Sequence, residues 1–208
     1  MAKDVRETVN SYITDMLALE DHIEKALDAQ LEDFKDEAPE VVSRLRSVHA
    51  QCEHHIEELK RLADAREIGG ARGVAEAVKR AGSAVAGLGA AAIDLIRTEK
   101  LPKNLRDDYT ALNLAAIGYA MLFTTARALD ANQVADLAER HLRHYAQAIM
   151  TVHDLIPMAI VKFLREDNLP VRAEVLPEVH RVLDDAWRSA SVPAEGELSR
   201  AAGATARI

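Results

Sequence analysis

The sequence predicts an all-α protein: a four-helix bundle with a crossover helix between its two halves and a short helix near the C-terminal end. Three observations carry this. Hydrophobic residues make up 49% of the 208 residues and charged residues 29%, which suits one full core. Aromatic residues are only 4%, so closely packed helices are favoured over sheets. Long runs also return an apolar residue every three to four positions, and proline, glycine or tight-turn residues interrupt them.

Those interruptions divide the chain into segments. The first spans about residues 4–35 and stops near Pro39. The second spans about 40–67 and stops at Gly69-Gly70. The third, about 72–98, is rich in alanine and glycine and ends before Pro102; it is the expected crossover. The fourth spans about 105–129. After the turn "LDANQ" a fifth follows to about residue 165, with Pro157 expected to kink it or to end it near Ile156. A short helix at about 178–189 carries Trp187. The organisation expected is a bundle over residues 1–165, an extension with the short helix over 166–190, and a disordered tail over 191–208, where Gly, Ala, Ser and Pro accumulate.

Four segments each present one apolar stripe. In the first it is Val9, Ile13, Met16, Leu17, Ile23, Leu27, Leu31 and Phe34, and Glu20 lies at its centre. A carboxylate there is costly unless something pairs with it. The second stripe runs Val41, Leu45, Val48, Cys52, Ile56, Leu59 and Ala63. The run "HAQCEHHIEEL" (49–59) concentrates three of the eight histidines, yet only His49 and His55 flank this stripe closely enough to reach inward. The fourth segment turns Asp108 and Tyr119 inward among Leu112, Ala115 and Leu122. The fifth turns His141 and Tyr145 inward among Val134, Ala138 and Val152, with His144 at the edge.

Composition excludes several functions. A net charge of −8 disfavours a nucleic-acid surface. One cysteine excludes an internal disulfide, and the charged N-terminal run has no signal-peptide core, so a cytoplasmic location is expected. The sequence shows one membrane-like run, 81–96, which is too short to span a bilayer, and membrane association is not expected. No nucleophile triad, phosphate loop or zinc-finger spacing occurs.

Three stretches carry a resemblance to a known family. "LEDHIEKAL" (19–27), "RDDYTALNLAAIGYAML" (106–122) and "YAMLFTTARALDANQVADLAERHL" (119–142) resemble the YciE/YciF-like ferritin-like stress-protein family, with the likeness extending over about residues 4–164. It implies a ferritin-like bundle in which carboxylates and a histidine hold two metal ions. Residue by residue, the resemblance carries over Glu20 on the first helix and His55 on the second, where Gln51 replaces a glutamate. On the fifth segment it carries over Glu139 and His144. Leu112 and Ala115 stand where the family has glutamates and cannot bind metal. No Glu-x-x-His occurs, so two bridging carboxylate sites are missing.

The expected function is therefore a non-catalytic, stress-associated protein with a degenerate di-metal centre and no resident cofactor. The rival expectation is a single iron or zinc ion, or a weak oxidase, using Glu20, His55, Glu139, His141 and His144. A third is a peripheral membrane or shell-cargo protein. A homodimer is expected from the family likeness and the small-residue third segment.

Overall fold

The computed structural model describes residues 4–69 and 100–191. The expected crossover segment, its membrane-like run at 81–96 and the tail beyond Ser191 lie outside the described residues. Within them the protein is an all-α helical bundle: α1 (Val5–Asp33), α2 (Pro39–Ala65), α3 (Lys100–Ala128), α4 (Asn132–Glu166), a 3-10 turn (Ala173–Val175) and α5 (Leu176–Ser191).

Local chemistry sets the ends. Asp4 caps α1 by accepting from the Arg6 N–H at 3.2 Å, and Glu7 follows in the first turn, where a negative charge suits the helix dipole. Pro39 opens α2, where its missing N–H costs nothing. The stop of α2 precedes the expected glycines: Glu67 itself adopts φ 55°, and the Ile68 N–H reaches back to the Ala63 carbonyl at 3.0 Å. Asp130 does the same between α3 and α4, with φ 55° and the Ala131 N–H on the Ala126 carbonyl at 2.8 Å.

One expected boundary is corrected, and one open alternative is decided. The fourth segment does not wait for Leu105, because Pro102 sits near the start of α3, where the first N–H groups lack helical partners anyway. Pro157 does not end the fifth segment, since α4 continues through it to Glu166. The proline removes one backbone bond, but flanking side chains such as Val152, Leu155 and Ala159 are buried and hold the helix in place.

The described residues fall into two compact units. One runs through Ala159 and contains α1, α2, α3 and most of α4; the other begins at Ile160 and contains the end of α4, the 3-10 turn and α5. In the first, the core is the predicted set of stripes: Val9, Ile13, Leu17 and Leu27 from α1, Leu45, Cys52 and Leu59 from α2, Leu112, Leu122 and Ala126 from α3, and Val134, Ala138 and Val152 from α4. Gly118 leaves room for the end of the Met16 side chain, because a Cβ there would stand 2.6 Å from the Met16 sulfur. By length and composition α4 could cross a membrane. Its stripe of buried residues is also what a core helix requires.

Candidate functional site

Four helices deliver polar side chains to one point in the bundle. Glu20 (α1), His55 (α2) and His141 (α4) are buried, and a metal-ligating atom of each lies within 4.8 Å of the others. Tyr119 (α3) and Tyr145 (α4) complete the group and are likewise buried. Glu20, Tyr119, His141 and Tyr145 reach the centre from the stripes of their own helices, and His55 reaches it from the flank of the α2 stripe.

Glu20 is the hub. Its Oε1 accepts from the Tyr119 hydroxyl at 2.5 Å and lies 3.1 Å from His55 Nδ1; its Oε2 accepts from the Tyr145 hydroxyl at 2.5 Å. Burial, reinforced by the Glu20 charge, holds both phenols well above their ordinary pKa, so they remain donors. His55 Nε2 meets His144 Nδ1 at 3.0 Å, and His144 is half-buried at the edge. His141 Nδ1 lies 2.9 Å from the Tyr119 hydroxyl, and its Nε2 lies 2.9 Å from Glu58. Glu58 in turn accepts from Arg140 at 3.1 Å.

Burial, followed by the neighbouring His55, pushes His141 down to about 3, so its ring is neutral and carries one N–H. That proton belongs on Nε2, facing Glu58. Burial works to raise the Glu58 carboxyl, but the His141 bond and the Arg140 charge outweigh it and keep Glu58 ionised. His141 Nδ1 is then an acceptor. The single Tyr119 hydroxyl proton consequently has two acceptors within reach, Glu20 and His141.

The histidine rings decide how well an ion would fit. His55 and His141 are stacked, with centroids 3.9 Å apart and planes 20° apart. A metal bonded to a histidine nitrogen lies in the ring plane, about 2 Å from that nitrogen. Two nearly parallel planes one ring thickness apart share no such point close to both nitrogens. The residue types suit a two-histidine, one-carboxylate site, but in this arrangement their lone pairs do not converge. One ring would have to turn and release its present partners.

Glu139 is corrected. Its side chain is on the surface, bonded to Arg143 at 2.7 Å one turn later, and it takes no part in the cluster. It lies two residues before His141, and so on the opposite side of α4. Glu58 is the residue that sequence reasoning missed. The signal was present as His55-x-x-Glu58, a spacing that stacks both on one face of α2.

His54, from the same histidine-rich run, lies 3.7 Å from Glu58, while His49 forms a separate group on the flank. His49 Nε2 lies 3.2 Å from Glu24, and its Nδ1 lies 3.6 Å from Glu53. The carboxylates meet different edges of the imidazole, so His49 bridges α1 and α2 without aiming both at one point. Beside the centre, a groove of about 370 Å³ between α2 and α4 is lined by Glu58, Arg61, Leu62, Gln133, Leu137 and Arg140, among others.

No family model matches the sequence, and no curated protein matches it. Among solved structures, the fold is similar to that of the protein XCC3681 from Xanthomonas campestris pv. campestris. The two share 18% identity with a TM-score of 0.62, over 79% of this chain and 99% of that one. The likeness is one of fold.

Proposed function

We propose that this chain is a non-catalytic helical-bundle protein whose centre is a structural hydrogen-bond network standing where a ferritin-like relative would hold two metal ions. One observation carries the reading: the Glu20 carboxylate is already met by two tyrosine hydroxyls and a histidine, from the three other helices. Among the described residues, no side-chain polar atom of Glu20, His55, Tyr119, His141 or Tyr145 is buried without a partner. A network in which Glu20 is met by three side chains, and in which Glu20 and His141 share the one Tyr119 proton, can rigidify a core without a ligand. A stress-associated role follows from the family resemblance, a cytoplasmic location from the single cysteine and the charged N-terminal run, and both belong to the same proposal.

The second reading is a single-ion site for iron or zinc at Glu20, His55 and His141, favoured by the proximity of their ligand atoms. Under it, those three residues would hold the ion, and a bound ion would act as a Lewis acid or, if iron, as a redox centre. The groove beside Glu58 would give small molecules an approach. Elemental analysis of untagged protein purified without chelator separates the two readings. Less than one-tenth of an ion per chain supports the network; a stoichiometric ion that is lost in Glu20→Gln overturns it.

A further inference from the structure

The outward face of α3 is dressed for a dry contact. Although 29% of the chain is charged, residues 109–126 contain no charged side chain at all. Leu114, Ile117 and Met121 stand exposed along that stretch, with Ile117 at 62%. Spacings of three and four residues put them in one stripe.

Both threonine hydroxyls of the stripe have spent their single donor on their own helix, and Asn113 has spent one of its two. The Thr110 hydroxyl bonds the Arg106 carbonyl at 3.0 Å, and the Thr124 hydroxyl bonds the Ala120 carbonyl at 2.8 Å. The Asn113 amide bonds the Tyr109 carbonyl at 2.7 Å. The face therefore offers methyl and methylene groups, with no side-chain donor turned outward from either threonine. Such a surface loses little when water leaves it.

We propose that this face is a two-fold interface with a second copy of the same chain, the two α3 helices crossing antiparallel at Ile117. The occupant follows from charge and from position. Copies carrying a net charge of −8 repel one another wherever their charged surfaces meet, and the uncharged stripe is where that repulsion is least. The stripe is also self-complementary about Ile117. Thr110 and Thr124 lie seven residues to either side, so each falls level with the other in an antiparallel pair. Leu114 and Met121 lie three before and four after, on the same flank, so Met121 of one copy packs beside Leu114 of the other. A two-fold contact requires such self-matching. This inference stands on α3 alone and is independent of what occupies the bundle centre.

Sedimentation of the full chain from low to high micromolar concentration tests it. The wild type should pass reversibly from monomer to dimer, more readily at higher salt as the repulsion is screened. Ile117→Glu should weaken association by at least about tenfold, because each copy would bury an unpaired charge. Its helical circular dichroism should be unchanged, because the site is exposed. Val182→Glu, at another exposed apolar position, on α5, should dimerise as the wild type does. A second arm covers any failure of the glutamate variant to fold: on oxidation Ile117→Cys should give a disulfide-linked dimer, whereas the buried Cys52 of the wild type should not. A wild type that stays monomeric overturns the proposal, as it would if another part of the same chain covered the face. So does Ile117→Glu dimerising normally, Val182→Glu abolishing the dimer, or Ile117→Cys yielding no linked species.

Discussion

His55 and His141 lie face to face, their ring centroids 3.9 Å apart, and each ring is pinned along its edges by partners from other helices. Capture of an ion between them would break at least one of those bonds and unstack the pair. Chelation should therefore leave the melting temperature of the purified protein unchanged. A fall on adding EDTA, absent in Glu20→Gln, would show that a bound ion contributes to stability.

Glu20→Gln keeps the size of the buried side chain and deletes its charge. The change in stability should be about 1–3 kcal/mol in either direction, since a paired buried charge brings attraction and desolvation cost together. Tyr145→Phe should cost about 1–3 kcal/mol in the wild type, because one carboxylate oxygen loses its donor. The same change should cost less in the Glu20→Gln background, where no anion is stranded. A double-mutant cycle by urea unfolding measures that difference; equal costs in both backgrounds would contradict the hub role of Glu20.

Asp108 gives the protein a pH dependence. Burial raises its carboxyl to about 7, against the Gln30 amide, which donates to it at 2.7 Å. Asp108 Oδ2 and Gln30 Oε1 are both buried without a donor, which leaves the ionised carboxylate poorly solvated and favours the neutral acid. Because the folded value lies above the ordinary 3.8, the unfolded chain ionises first as pH rises. This group's contribution therefore falls between about pH 4 and 7, by up to about 1.4 kcal/mol per pH unit, and is level above that range. Asp108→Asn supplies a permanent N–H donor in place of the proton. It should flatten this part of the stability–pH profile and stabilise the protein at neutral pH.

Cys52 should be inert. Burial, then the nearby Glu20 charge, pushes its thiol up to about 12, and its sulfur lies 3.6 Å from the Tyr145 hydroxyl. A thiol-specific chromophoric reagent should modify the folded protein only at the rate at which the bundle opens. A rapid stoichiometric reaction under native conditions would show that the α2 face is accessible.

Helical stripes are readable because burial repeats with the period of the helix; Glu20, Tyr119, His141 and Tyr145 follow from their places in a stripe, and His55 from its place on the flank of one. Errors and open choices arose where tertiary packing overrode a local signal. Pro157 reads as a kink or a stop, and the sequence leaves the two open; α4 runs through it on the strength of its buried flank. Glu139 was carried over from a family pattern, whereas its own helix turns it toward Arg143. Glu58 escaped notice because it is partly exposed and belongs to no apolar stripe. What a stripe cannot show is the pairing across helices: that Glu20 is met by two phenols, and that two histidine rings stack instead of converging, depends on side-chain rotation.

Glu20 is contacted by one residue from each of the other three long helices of the bundle. An ion in that position cannot be dehydrated by stages, because a partial assembly would leave the charge in an apolar setting with too few donors. The last helix to dock thus supplies both apolar burial and the missing share of solvation for a charge laid down by the first. A slip of any helix by one turn, about 5.4 Å, forfeits that share entirely. The carboxylate therefore acts as a keystone for register: it penalises near-native misalignments that apolar side chains alone would tolerate, and it makes the four helices open and close as one cooperative unit.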